Sequence, residues 1–297
     1  MKLALIYRGP LASCNYRCSY CPIPKRRATV AEAVEDARAL DRFVALVASR
    51  SGDELQILFA PRGEALVHAR YGDALRVLSK LPQVRLAAIQ TNLSFEPDAL
   101  DGCEPSKVAL WATFHPEETS VARFAPRIQA VSARGFRLSA GAVADPRWLE
   151  AIEVLRRALP DDVYLWLNRR HGSPPLAPRD LARVSAIDPW FVAIPPRSRG
   201  RACHAGRRAL VVSGDGSARR CLALPSVLGD VYREPLEAIV ARSPASCPAA
   251  VCRCHVGQVF LEPLGLEDAF GDGLLARIPT RWRTPNGAMR SARTTWQ

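Results

Sequence analysis

Cys14-Asn15-Tyr16-Arg17-Cys18-Ser19-Tyr20-Cys21 holds three of the chain's nine cysteines within eight residues. It sets three thiols in a C-x3-C-x2-C spacing, with Tyr20 directly before the third. It follows a short apolar run, Leu3-Ala4-Leu5-Ile6-Tyr7, that reads as a strand. Three thiolates on one loop can hold three irons of a four-iron cluster and leave the fourth iron open to a substrate. A structural zinc ion is a second reading of the same residues. Such sites are usually closed by four ligands, and no fourth Cys or His stands close by in the sequence. A disulfide with one spare thiol is a third.

Outward from that loop, composition bounds the molecule. The 297 residues allow one large domain or a domain with an appendage. An apolar fraction of 48% is ordinary for a globular protein with a packed core. No run approaches the roughly eighteen apolar residues of a membrane span. The N-terminal apolar run is too short for a secretory leader, so a cytoplasmic location is expected. In that reducing compartment the nine cysteines read as metal ligands before disulfides. The net charge is +12, carried by arginine, with lysine only at Lys2, Lys25, Lys80 and Lys107. The arginines are scattered, with doublets such as Arg26-Arg27 and Arg169-Arg170 but no long run. Charge therefore gives no strong argument for nucleic acid as a partner.

Apolar runs recur at 3–7, 55–60, 84–90, 108–114, 136–143 and 163–168, and each reads as a strand. Helical patterns lie between most of them. The clearest is 29–50, which opens on Thr29 with Glu32 three positions later, a capping box. Weaker helical patterns cover 70–80, 119–134 and 146–158, and a short helix is expected near 178–187. Strands alternating with helices predict a parallel α/β sheet. Continuous rather than alternating apolar strands predict burial on both faces. A proline- and arginine-rich stretch over 170–200 marks a boundary near residue 196. The segment from 280 to 297 is basic, lacks acids and periodicity, and is expected to be a disordered tail.

The cysteine triplet with its aromatic residue resembles the radical S-adenosylmethionine (radical SAM) superfamily. The resemblance implies a partial (βα)6 TIM-like barrel over 1–196, with the cluster loop after the first strand and functional groups at the C-terminal strand ends. Phe59-Ala60-Pro61-Arg62-Gly63-Glu64-Ala65-Leu66 is similar to the family's Gly-Gly-Glu-Pro turn, departing from it at Arg62 and Ala65. The family uses that Glu and nearby backbone to hold the SAM methionine ammonium, which assigns Gly63 and Glu64 to cofactor binding. A carboxylate facing an ammonium makes a charge-assisted hydrogen bond. By the same resemblance Tyr20, Asn92 of Gln90-Thr91-Asn92, and Thr113 and His115 of Thr113-Phe114-His115-Pro116 line the SAM cleft. Asn92 could equally serve an ordinary turn, and His115 could contact substrate or cap its loop. Ser139-Ala140-Gly141 could leave room for adenine or simply pack, and Asn168 could line the wall.

A second cysteine group follows: Cys203, Cys221, Cys247, Cys252 and Cys254. Ala209 to Ala218 reads as a β-hairpin around Gly214-Asp215-Gly216. Cys203, then Gly216-x4-Cys221 on the returning strand, resembles the SPASM and twitch extensions of radical SAM enzymes. The resemblance implies an auxiliary four-iron cluster within 197–279, ligated by Cys203, Cys221 and two of Cys247, Cys252 and Cys254. Zinc is the alternative for four of these five. Cys103 stands apart and is expected to be an inert thiol.

The resemblance implies an enzyme with the following expected mechanism. Cys14, Cys18 and Cys21 bind a four-iron cluster whose free iron chelates SAM. An electron from flavodoxin or ferredoxin splits SAM into methionine and a 5′-deoxyadenosyl radical, which abstracts hydrogen from a substrate. A peptide or protein substrate is favoured over a small molecule undergoing dehydrogenation. A zinc-stabilised, basic nucleic-acid-binding protein is the rival from another class.

Overall fold

The computed structural model describes residues 1–23, 26–283 and 287–291. Six strands form its frame: β1 (Lys2–Arg8), β2 (Glu54–Phe59), β3 (Val84–Thr91), β4 (Val108–Phe114), β5 (Arg137–Ala144) and β6 (Leu165–Arg169). Each pairs in parallel with the next, so the six C-terminal ends share one edge. The intervening helices are α1 (Val30–Ala48), α2 (Ala69–Lys80), α3 (Val121–Ala133) and α4 (Leu149–Ala158), with α5 (Pro178–Ile187) after β6. The sheet continues on the other side of β1 through β7 (Ala209–Ser213), β8 (Ser217–Arg219) and β9 (Val227–Asp230). The full order is β6-β5-β4-β3-β2-β1-β7-β8-β9, a mostly parallel α/β sheet left open at both ends.

Local chemistry sets the elements. Thr29 caps α1: its side chain accepts from the Glu32 amide while Glu32 accepts from the Thr29 amide. β1, β3 and β5 are apolar on both sides because both faces of the sheet are covered. The outer layer joins Leu5, Tyr7, Ile57 and Phe59 to Phe43 of α1 and Leu75 of α2. Tyr7 stacks on Phe43 at 4.4 Å between centroids. No helix among the described residues is long and apolar enough to cross a membrane.

The inner layer has an unforeseen source. Leu58, Ala88, Ala109, Trp111 and Trp166 are covered by Phe260, Phe270, Leu275 and Ile278 from the C-terminal segment. That segment is a chain of short 3-10 turns around α7 (Leu266–Phe270), reached after α6 (Leu236–Ala241). Its Ala276 carbonyl accepts a 2.6 Å hydrogen bond from Ser139 Oγ, which in turn accepts from Trp166 Nε1 at 3.1 Å. Ser139-Ala140-Gly141 therefore serves packing: a Cβ on Gly141 would meet the Trp166 indole at 2.0 Å.

The expected disordered tail is in part a hairpin. β10 (Arg281–Arg283) pairs antiparallel with β11 (Met289–Ser291). The cause is Trp282, which is buried and meets Tyr164 edge-on at 5.9 Å. Residues 284–286 and 292–297 of that segment lie outside the described residues.

Candidate active site

The cysteine loop leaves β1 and is tied to the exits of three neighbouring strands. At β2, the Glu64 amide donates to the Ser13 carbonyl at 3.0 Å. Gly63 permits that approach: it has φ +143°, and a Cβ there would lie 1.7 Å from the Ser13 oxygen. At β3, Asn92 Nδ2 donates to Asn15 Oδ1 at 3.0 Å, and Asn15 Nδ2 donates to Ser94 Oγ at 2.8 Å. Beyond β4, Glu118 accepts from the Arg17 amide at 2.7 Å and Glu117 from the Ser19 amide at 2.5 Å. These backbone, side-chain amide and carboxylate contacts position the loop without using its thiols.

A cavity of about 220 Å³ opens at these strand ends. Cys14, Cys18 and Cys21 line one side of it, and Gly63, Glu64 and Asn92 another. Thr113 and His115 close it from β4, with Trp111, Trp166 and Asn168 beyond. Of the residues assigned from the sequence to this end of the sheet, Tyr20 does not line the cavity: it packs behind His115, its hydroxyl 2.8 Å from His115 Nδ1 and its ring 4.8 Å from Trp148.

Glu64 is 1% exposed. Its carboxylate accepts from Thr91 Oγ1 at 2.8 Å, the Asn92 amide at 2.5 Å and the Leu66 amide at 3.1 Å. No ion pair to Glu64 exists among the described residues. Burial pushes its carboxyl up to about 7, against the pull of those three donors. The donors fix the group's aim; a cation entering the cavity would supply the missing charge.

His115 both lines the cavity and touches the cysteine loop. Its Nδ1 lies 3.4 Å from Cys18 Sγ as well as beside Tyr20. Burial holds the imidazole down at about 4, so it is neutral at physiological pH. It supports the cysteine loop from beneath. Asn92 is likewise engaged with that loop, its Oδ1 accepting from the Ser94 amide and hydroxyl. The sequence missed Glu117, Glu118, Asn15 and Ser94 as loop anchors. Only the loop's position above them marks them, since solvated Glu and Asn are ordinary in such turns.

All nine cysteines are free thiols, which removes the disulfide reading for the described structure. Burial raises the Cys14 thiol and pushes Cys18 up to about 12, and Cys21 adds charge repulsion to both. The Tyr16 amide points at Cys14 Sγ from 3.4 Å, a donor suited to a thiolate. Among the described residues, no three His, Cys, Asp or Glu side chains converge as ligands of a single ion must. A cluster asks for something else, because each thiolate meets its own iron. Three thiols facing one cavity, with amide donors and no internal ion pair, fit that donor set.

In the C-terminal half, Cys221, Cys247, Cys252 and Cys254 repel one another as thiolates. Burial raises Cys221 to about 11 and Cys252 to about 12. Gly257 sits among them: a Cβ there would lie 3.4 Å from Cys254 Sγ and 3.5 Å from Cys221 Cβ. Cys203 is buried with Cys247 in the inner apolar layer. Cys103 is buried on the other side of the sheet, in the outer layer.

The fold is one shared by S-adenosylmethionine-binding proteins of known structure. Native anSMEcpe with bound AdoMet superposes with a TM-score of 0.55 at 13% identity, over 88% of this chain and 84% of that one. The same protein with AdoMet and the Cp18Cys peptide gives 0.55 at 13%, over 93% and 88%. SuiB of Streptococcus suis bound to S-adenosylmethionine gives 0.53 at 13%, over 80% of this chain and 65% of that one. At such identities the likeness establishes the fold. No family model and no curated protein sequence matches the chain.

Proposed function

We propose that the protein is a radical SAM enzyme that cleaves S-adenosylmethionine reductively and takes hydrogen from a peptide or protein substrate. One observation carries this reading: Cys14, Cys18, Cys21 and Glu64 line a single cavity at the C-terminal ends of parallel strands. A four-iron cluster held by Cys14, Cys18 and Cys21 would supply the single electron needed to cleave SAM to methionine and a 5′-deoxyadenosyl radical.

The chain's own residues bind, orient and exclude water. Cys14, Cys18 and Cys21 hold the cluster as thiolates, and the raised pKa values of Cys14 and Cys18 mean that loading releases protons. Glu64 faces the methionine ammonium and removes the need for a buried lone carboxylate. Gly63 and Asn92 offer backbone and amide beside it, and Thr113 offers a hydroxyl to the ribose. Trp111 and Trp166 wall the cavity against water. Tyr20 and neutral His115 keep the cysteine loop in register.

In this reading Cys203, Cys221 and two of Cys247, Cys252 and Cys254 hold a second four-iron cluster. A flavodoxin or ferredoxin supplies electrons. The peptide-bound relative of this fold supports a peptide substrate. The test is anaerobic incubation with dithionite and SAM. The native chain releases 5′-deoxyadenosine, slowly without substrate, and the Cys14/Cys18/Cys21 triple alanine variant releases none. Equal release from both would end this reading, and zinc without acid-labile sulfide would favour a structural metal site.

A further inference from the structure

A second cavity, of about 620 Å³, lies beside the first. Ile23 lines both, and Arg62 of the second stands between Pro61 and Gly63 of the first. The two spaces therefore share a wall made by the cysteine loop and the β2 exit. Arg8, Arg62 and Arg219 line the second cavity, and no carboxylate does. Its remaining wall is largely apolar, with Val211, Leu222 and Leu224.

These arginines lack the carboxylate partners that several others in the molecule have. Arg50, Arg76, Arg134 and Arg183 each meet a carboxylate. Among the described residues, no ion pair involves Arg8, Arg62 or Arg219. Arg219 donates only to neutral acceptors, Ser213 Oγ at 2.6 Å and the Pro225 carbonyl at 3.3 Å. Arg8 Nε is buried without an acceptor. Burial and then the nearby Arg62 charge both push the Arg8 guanidinium below its ordinary pKa. Arg62 is also one of the two residues, with Ala65, at which the turn departs from a Gly-Gly-Glu-Pro pattern. Asp215 lies near enough to feel the Arg219 charge but neither pairs with it nor lines the cavity, and like charges gathered around a cavity are relieved by a bound anion. Guanidinium groups pair with carboxylates through two parallel hydrogen bonds, and apolar walls suit aliphatic stems between them. The size suits a stretch of peptide.

We propose that this cavity is a substrate-recognition site, in which Arg8, Arg62 and Arg219 hold the carboxylates of an acidic peptide segment next to the SAM cavity. Its role in a reaction rests on the radical SAM reading; the binding itself does not. The test is fluorescence anisotropy with the full chain, reconstituted anaerobically, and a dye-labelled peptide of alternating alanine and glutamate. The glutamate peptide binds, and its glutamine counterpart does not. Arg62→Gln with Arg219→Gln weakens binding by about tenfold to a hundredfold. Arg38→Gln with Arg157→Gln, at exposed positions away from the cavity, changes it by about twofold or less. Equal loss in both double variants would overturn the proposal, because net charge alone would explain the binding. Equal competition by free glutarate would overturn it in favour of a small-acid site. If the Arg219 change unfolds the chain, Arg62→Glu at its exposed position gives the same test alone. SAM titration of the same samples separates the two ideas. A chain that binds the peptide but not SAM keeps the site and loses the radical SAM reading; the reverse loses only the site.

Discussion

Glu64 is an ion pair with one half in place. Its carboxylate is buried, aimed by three donors and left without a cation. Glu64→Gln keeps the volume and removes the charge, although one amide hydrogen then faces the Asn92 amide. SAM affinity should fall by roughly tenfold to a hundredfold, the value of a hydrogen bond between charged groups. Iron content should stay near native, since Glu64 is not a thiol ligand. Calorimetric titration with SAM checks the first and metal analysis the second; unchanged affinity would send the search for the anchor to Asn92 and Thr113. Gly63→Ala should act differently. The added carbon would sit 1.7 Å from the Ser13 carbonyl, at a φ of +143° that strains any other residue. The cysteine loop must then leave the β2 exit, and N-terminal iron should be lost with it. Glu64 and the thiols were legible because their residue types announce their chemistry. The engagement of Asn92 and His115 with the cysteine loop was not, since it depends on three strand exits meeting in space.

The cysteine loop has no regular structure, so its order comes from neighbours. A Cys14/Cys18/Cys21 triple alanine variant should keep about half of an expected total of about eight irons, four per cluster. Retention of all the iron would show that the N-terminal site is misassigned. The β5 exit carries a separate electrostatic tie. Asp145 is buried, caps the turn at Arg147 and pairs with Arg147 and Arg170 at 3.0 Å. The Arg147 hydrogen bonds hold its carboxyl down at about 2. A depressed carboxylate stabilises the fold fully above about pH 4, and that stability is lost as pH falls toward 2. Asp145→Asn should therefore cost about 1–2 kcal/mol at pH 7, after allowing for its half-exposed arginine partners, and should flatten the acid limb of a stability profile. Chemical denaturation at pH 7 and pH 3 checks both; an unchanged acid limb would mean the pairs are screened out. Strands and helices of this kind were legible in sequence. The run 84–90 became Val84–Thr91, and the capped pattern at 29–50 became Val30–Ala48. Apolar continuity and a capping box are local signals, and local signals survive folding.

On the scale of the molecule, the sheet has two linings of different origin. The outer lining comes from helices whose apolar spacing announces them. The inner lining comes from a glycine-rich chain of short turns after residue 256, in which Phe260, Phe270 and Leu275 follow no period. Nothing local could reveal it, because only the concavity it fills gives it shape. The inner lining also has a date. About a hundred residues separate the end of β6 from Ile278, so at about 5–20 residues per second the ribosome finishes β1 to β6 on the order of ten seconds before their cover. Throughout that interval Trp111, Trp166 and Leu58 face water or whatever attends the nascent chain. A chain stopped after residue 256 makes the interval permanent. It should express as an aggregate or remain bound to chaperones, whereas a chain ending after residue 283 should not; soluble, monomeric protein from the shorter chain would show that the sheet tolerates a bare inner face.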